Sequence, residues 1–425
     1  MAMGHERLFS LEEANKLFKI KYEKLSENVY NSANVLLGRV KKSYDFVGEK
    51  IQITIPSSFS GGVGSGELPK ANTALYQRAE LTAKKMYAVV EIDRETIKAS
   101  LKDEGSFVRA TKEVVKKAVE SFMRNLSRTL FNDGSGMLGI AAANGVEVDE
   151  DPEVAGDDAT EVTISDASFK EANFEERDLV NLDSGTTAIE ILKVDPEAKK
   201  ITLKGTSLGV VTGTKIYMQG SKGNDPEGLR SLDKLSSGSV DFLGNDISHI
   251  PAAKQNSNYG ISVGRRWSAV QEDAAGAAIS TDMLNKVMLK IKKNCGKTPN
   301  LIVCSFKQYE KILNLLEDQK RYTVATRAGL KSKSGADISF SGVEFMSVDG
   351  PVGIFPERFV EDDRIYLLND SHIHIKHRPD FGWFDDDGTV FLRKANADAY
   401  EARYGGYLQT YINPCFHGVI ADLSV

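Results

Sequence analysis

The segment that most restricts what this chain can fold into is its last 28 residues, Asp398 to Val425. Tyr400, Tyr404, Tyr407, Leu408, Tyr411 and Ile412 lead to a proline break at Pro414, and a final apolar run follows. This pattern reads as one long strand or two rather than as a catalytic loop. Its counterpart lies far upstream, where Phe107, Ala110, Val114, Val115, Ala118, Val119, Phe122, Leu126 and Leu130 form one stripe of a helix over Ser106–Phe131, ended by Asn132-Asp133-Gly134. At 3.6 residues per turn the helix has about seven turns. No reactive cluster accompanies either element, so the chain reads as built to assemble rather than to catalyse.

Length and charge narrow the function classes. A chain of 425 residues exceeds one compact core and implies two to three domains, with 41% apolar residues to fill them. The net charge of −6, from 54 basic and 60 acidic side chains, gives no basic footprint for tight binding to nucleic acid. No run approaches the ~20 apolar residues of a membrane span, and Met1-AMGHERLFS lacks a signal-peptide core. Synthesis in the cytoplasm is therefore expected. Cys295, Cys304 and Cys415 have neither paired spacing nor an even count, which argues against a disulfide scaffold or zinc ribbon and for core positions.

The texture changes along the chain. Ser10-Leu11-Glu12-Glu13 has the form of a capping box, and Ala14, Leu17, Phe18, Leu25, Val29, Tyr30, Ala33, Leu36, Leu37 and Val40 continue at helical spacing to about Tyr44. This predicts a helical arm, broken once, outside any compact domain. The alternating runs Ile51–Ile55 and Met86–Ile92 predict two strands. Between them Ser57–Lys70 concentrates glycine and serine, so 48–95 reads as one long hairpin with a mobile tip that needs a partner. On the long helix, Arg109, Lys112, Lys116, Lys117, Arg124 and Arg128 outnumber Glu113 and Glu120, a face expected to be solvated or paired with acids. From Val146 to about Ser236 the chain turns acidic and threonine-rich, with β-like pieces at Val162–Ile164, Ala188–Val194, Lys200–Leu203 and Lys215–Met218 and a turn at Asp195-Pro196-Glu197-Ala198, which predicts a small β insertion. An α/β alternation follows: helices over Met283–Lys293 and Phe306–Leu316 flank a buried strand at Leu301–Cys304. Further strands are expected at Val343–Val348, Ile365–Leu368, His372–Lys376 and Val390–Arg393.

Candidate chemistry is sparse. Gly61, Gly62, Gly64 and Gly66 have the spacing of a phosphate loop, but Glu67 stands where its lysine belongs and no helix follows, so the stretch reads as a flexible loop. His372, His374 and His377 are the metal candidates and would serve a metal-dependent hydrolase. Alternation with Ile373 and Ile375 and the lack of an orienting acid favour an ordinary half-polar strand. Asp385-Asp386-Asp387-Gly388 opens like a calcium loop without its later ligands and reads as a hairpin turn. There is no Gly-x-Ser-x-Gly elbow and no local Cys–His pair. No cofactor, metal or catalytic residue is therefore assigned.

The order of these parts resembles the major capsid proteins of tailed bacteriophages, the lambdoid-type shell fold called the Johnson fold. Residues 11–44 resemble that family's N-terminal arm, Glu49–Asp93 its extended hairpin loop, and Ser106–Phe131 the spine helix of its peripheral domain. The phrase Asn132-Asp133-Gly134-Ser135-Gly136-Met137-Leu138-Gly139-Ile140 is similar to the glycine-rich turn that leaves that helix. Residues 240–365 resemble the axial domain, Ala397-Asp398-Ala399-Tyr400-Glu401-Ala402-Arg403-Tyr404 through Pro414 the returning peripheral strand, and His417-Gly418-Val419-Ile420 the family's ending.

The resemblance implies an α+β capsid subunit divided into an arm (1–47), an extended hairpin (48–95), a spine-helix segment (96–145), an inserted β domain (146–236), an axial domain (237–365) and returning strands (366–425). It implies hexamers and pentamers of an icosahedral phage shell around double-stranded DNA held by weak contacts, with the virion capsid as location. A portal, a maturation protease and, since Ser10 starts a helix at once, a separate scaffolding protein are its implied partners; no membrane is involved. Gly61, Gly62, Gly64, Lys70, Lys84 and Lys85 of the hairpin and Val115 and Phe122 of the helix are its assembly residues. Some members cross-link a hairpin lysine to a peripheral asparagine beside a basic carboxylate; Lys70, Lys84, Lys85 and Asn396, with Glu401 as the carboxylate, are loosely placed for that. A cellular nanocompartment shell of the same fold is the alternative.

Overall fold

A computed structural model describes residues 35–44, 46, 48, 50–56, 76–93, 104–149, 158–165, 168–183, 185, 187–235, 269–318, 328–331, 337–340, 343–378, 382–384, 390, 392–394 and 398–425. The capping box at Ser10, the glycines of 57–70, the Asp385–Gly388 run and Asn396 lie outside them. Along the chain run helix α1 (Val35–Arg39), strand β1 (Lys41–Ser43), strands β2 (Lys50–Pro56), β3 (Tyr76–Thr82) and β4 (Lys84–Asp93), and helix α2 (Glu104–Phe131). Seven strands follow: β5 (Met137–Ile140), β6 (Val146–Asp149), β7 (Asp158–Thr163), β8 (Leu179–Leu182), β9 (Ile189–Asp195), β10 (Lys200–Lys204) and β11 (Lys215–Met218). Next come β12 (Val270–Asp273), helix α3 (Thr281–Cys295), β13 (Leu301–Cys304), helix α4 (Phe306–Asp318) and the paired strands β14 (Ala328–Lys331) and β15 (Asp337–Phe340). The chain ends with β16 (Val343–Ser347), β17 (Gly350–Pro356), β18 (Ile365–Leu368), β19 (Ile373–His377), β20 (Gly382–Trp383), β21 (Leu392–Arg393), β22 (Ala399–Ile412) and β23 (Gly418–Ala421). The fold is mixed α+β.

The C-terminal segment forms a single 14-residue strand, β22, and organises one sheet. Antiparallel β4 covers it from Leu408 back to Ala399, and β19 pairs with its other end, Ile412 to Leu408. Close passage of β4 requires a glycine. At Gly405 φ is +154°, and a Cβ there would meet the Met86 carbonyl oxygen at 2.1 Å.

Pairing departs from the expected hairpin in one respect. The run at Ile51–Ile55 pairs with β3, not with Met86–Ile92. β3 reads Tyr-Gln-Arg-Ala-Glu-Leu-Thr, too polar to announce itself by alternation, while β4 carries the stronger pattern because it belongs to the body of the molecule. The helical reading to Tyr44 is corrected as well: after α1 the chain becomes β1, which lies parallel to β19. Nor is this stretch detached, since Val35, Leu36, Leu37 and Val40 are buried in the main core.

The β insertion begins earlier than its composition suggested. Met137–Ile140, read as part of a glycine-rich turn, is its first strand, and the strand order is β5-β11-β8-β9-β10-β7-β6. Past Ile140 the chain reaches the far side of the sheet, where Ala142 N donates to Thr163 O (2.8 Å) and Ser165 N to Ile140 O (2.8 Å), so the sheet curls towards closure. Inside it lie Leu138, Val162, Ile164, Phe174, Val180, Leu182, Ile191, Ile201, Leu203 and Ile216. The turn at Asp195 forms as read: its Oδ1 accepts from Glu197 N (3.1 Å) and Ala198 N (3.0 Å).

The mixed sheet, order β12-β23-β18-β13-β17-β16, explains why Leu301–Cys304 is apolar throughout. Alternation sends Leu301 and Val303 to the core shared with α2 and β22, and Ile302 and Cys304 to the core under α3 and α4. Helix α3 starts at Ser280, whose side chain accepts from Met283 N, and stops at Gly296, φ +74°. Among the described residues no helix is long and apolar enough to cross a membrane.

Candidate assembly site

Helix α2 packs against β22, the mixed sheet and the inserted β unit. Phe122 stands edge-on to Tyr404 of β22, ring centroids 5.2 Å apart, and Phe131 meets Tyr366 of the mixed sheet at 6.4 Å. Phe122 is 1% exposed. Val115 lies on the same helix, but its side chain is outside the described residues. The basic face has a specific use at its C-terminal end. Arg124 forms ion pairs with Glu175 and with Asp178 (2.6 Å), and Arg128 with Asp225 (3.1 Å), all acids of the inserted β unit or its exit. Burial lowers the Arg124 pKa and raises those of Asp178 and Asp225 against the pull of their arginines. These pairs therefore fix geometry more than they add stability.

The hairpin leaves the body beside this junction. Thr82 and Lys84 from its base, Asp133, Gly134 and Ser135 after α2, and Gly223, Asp225 and Glu227 line a cavity of about 290 Å³. Lys84 Nζ donates to Gly223 O (3.1 Å), and Asp133 Oδ1 accepts from Ser135 N (2.9 Å). Gly136, φ +76°, lies so close that a Cβ would meet Ser221 O at 2.3 Å. Lys85 Nζ sits 5.7 Å above the Tyr407 ring. Ser135 Oγ also donates to Asp133 Oδ1 within this cavity, and the turn after α2 and the hairpin root meet there.

Of the cross-linking candidates, the described ones lie apart within the chain. Glu401 accepts from Arg403 Nε and lies opposite Glu91, whereas Lys84 and Lys85 lie opposite Leu408 and Tyr407. Six residues of strand separate Glu401 from Tyr407, roughly 20 Å. Lys70 and Asn396 are outside the described residues.

The histidines do not form a ligand set. His372 lies in a short 3-10 turn, stacked on Phe416 at 3.7 Å, and burial followed by nearby Lys297 lowers its pKa. His374 tilts over Tyr411 at 6.0 Å. His377 shares strand parity with buried Ile373 and Ile375 and packs against Tyr44 at 4.4 Å. Strand alternation therefore puts His374 and His377 on opposite faces. Among the described residues no three His, Cys, Asp or Glu side chains are grouped to hold a metal ion.

Two buried carboxylates escaped the sequence reading because their partners are hundreds of residues away or on other elements. Glu357 Oε1 accepts from Leu36 N (3.0 Å), clamping the first turn of α1, and burial pushes its pKa up to about 7. Glu361 is ion-paired with Lys170 (2.9 Å), Arg230 (3.3 Å) and Arg364 (3.8 Å). Burial alone would raise its pKa, but the three cations outweigh it and hold the carboxyl at about 2. Its network ties the inserted β unit to the mixed sheet.

The family model of the SU10 major capsid protein matches residues 218–381. No curated protein matches the chain. Among solved structures the chain is similar to Mycobacterium phage Bobi, at 8% identity and TM-score 0.43, over 97% of this chain and 98% of that one. It is similar to the cyanophage A-1(L) capsid asymmetric unit at 12% identity and TM-score 0.42, over 91% of each chain. A virus-like particle from Pyrococcus furiosus is similar at 7% identity and TM-score 0.38, over 94% of this chain and 100% of that one.

Proposed function

We propose that this chain is the major capsid protein of a tailed bacteriophage, a structural subunit that assembles into the hexamers and pentamers of an icosahedral shell around double-stranded DNA. The match of residues 218–381 to a major capsid family carries the reading, because it spans the exit of the β unit, both helices of the mixed sheet and strand β19. The architecture supports it physically. Strands β2 and β3 form a two-stranded sheet with each other, and an isolated hairpin is marginal in water, so a neighbouring subunit is needed to cover it. Subunit contacts would offset the entropy of ordering it. The role is structural rather than enzymatic. Self-association is the primary partnership; a scaffolding protein, a maturation protease, a portal and weakly held DNA complete it, with synthesis in the host cytoplasm and residence in the virion shell. The net charge of −6 suits a container that does not grip its contents. Light scattering with negative-stain imaging of the purified chain tests the proposal. Megadalton shells, rings or tubes are expected. A protein that stays at its 46.6 kDa monomer mass even with the scaffolding protein co-expressed would overturn it.

A further inference from the structure

Two of the three cysteines, 120 residues apart in sequence, meet at one point of the fold. Cys295 is the last residue of α3 and Cys415 the middle of a 3-10 turn, Pro414–Phe416. Cys295 Sγ lies 2.5 Å from the Cys415 carbonyl oxygen, and the two thiols are near enough to shift each other's pKa, Cys295 down and Cys415 up. Cys415 Sγ is also held 3.3 Å from Asn413 Oδ1, which fixes its direction. The third thiol, Cys304, is buried in the core beneath the helices and takes no part.

The location gives the pair a consequence. The Pro414–Phe416 turn is the elbow through which the chain passes from β22, centre of one sheet, to β23 in the mixed sheet. A covalent tie from α3 to this elbow would fix the two sheets' connection without altering either hydrogen-bond ladder.

We infer that Cys295 and Cys415 form an oxidation-inducible disulfide, a staple that is open while the chain is made in a reducing cell and closes under oxidising conditions. The co-reactant is a small-molecule disulfide such as oxidised glutathione. One cysteine thiolate attacks a glutathione sulfur and expels one glutathione thiolate; the second displaces the remaining glutathione, forming the Cys295–Cys415 bond. The two protein thiol protons end on the two glutathione thiols, so electrons and atoms balance. Cys295 is the better attacker, being the less buried of the two and having its pKa lowered beside Cys415, while Cys415 acts as the resolving thiol. The change of surroundings on leaving the cell rests on the shell reading; the bond itself does not.

The test uses the purified full chain, reduced and then incubated with oxidised glutathione. Intact mass should fall by two hydrogens, and one proteolytic fragment should join Cys295 to Cys415. The thermal midpoint of the oxidised chain should rise by about 2 °C or more over the reduced chain, with no rise in Cys295→Ser or Cys415→Ser. Three alkylatable thiols after oxidation, a glutathione adduct that persists on Cys295, or a bond between two chains would each overturn the inference. None of these outcomes depends on whether shells form, so it fails or stands separately from the capsid reading.

Discussion

At the scale of single residues, three buried titratable groups set opposing demands on pH. Glu357 has a folded pKa of about 7 against 4.5 unfolded, so the native state holds the extra proton. Its contribution is complete below about pH 4.5 and is lost as pH rises through 7. His417 is wholly buried, its Nδ1 accepts from Asn369 N (3.2 Å), and burial drops its pKa to about 3. Its neutral ring costs stability as pH falls below 6.5. The two slopes cross in the mildly acidic range, where native-state stability should peak. Urea titrations of Glu357→Gln should show the loss above pH 5 flattened, by on the order of 3 kcal/mol across the window; an unchanged profile would mean the carboxyl is not buried as described. Glu361 behaves in the opposite sense: its pKa of about 2 gives stability present above about pH 4.5 and lost as pH falls through 2. Glu361→Gln removes the carboxylate that Lys170, Arg230 and Arg364 share and should cost roughly 3 kcal/mol at pH 7 by denaturant titration. None of these roles is visible in the sequence, where Glu357 and Glu361 look like ordinary loop acids, because burial and, for Glu361, Lys170 and Arg230 come from elements remote in the chain.

At the scale of elements, α2 and β22 do the organising. Both were legible because each is a long segment of one unbroken period, and long periodic segments survive tertiary context. Phe122 is the point where they meet, so Phe122→Asp places a charge between Tyr404 and the main core. It should cost at least about 4 kcal/mol. Circular dichroism and thermal melting should show an unfolded or molten chain; a soluble variant with native melting would show that the stripe is assigned to the wrong side. Short elements fared worse. β1, β3 and β5 were missed because three to seven residues carry too few repeats to declare a period, and because Lys41, Lys42 and Glu80 decorate them. The basic face of α2 was seen as a pattern, but its assignment to acids of the β unit required knowing that the unit folds back against the helix.

At the scale of the whole molecule, the capsid reading makes the hairpin the part that a neighbouring chain would complete. Its strands hydrogen-bond to each other, and its root is held by Lys84 and the walls of the cavity beside Asp225. Deleting Ser57–Lys70 should therefore leave the melting of the body within about 2 °C of the parent, while closed shells disappear from negative-stain fields. Normal shells from the deletion would show the tip to be dispensable. On the capsid reading, stability rests on the cores of the described residues and assembly on surfaces outside them.

The amino-acid sequence by itself determined the α+β character, the long helix, the dominant terminal strand, the presence of a β insertion and the lack of any local catalytic motif. Each is a property of neighbours along the chain, where period, turn chemistry and composition act directly. The tertiary structure alone decided which strands pair, that β4 belongs with β22, that His374 and His377 face apart, that Glu357 clamps α1 and that Cys295 meets Cys415. Those outcomes depend on contacts between residues tens to hundreds of positions apart, selected by how three cores close together, and no local pattern encodes that selection.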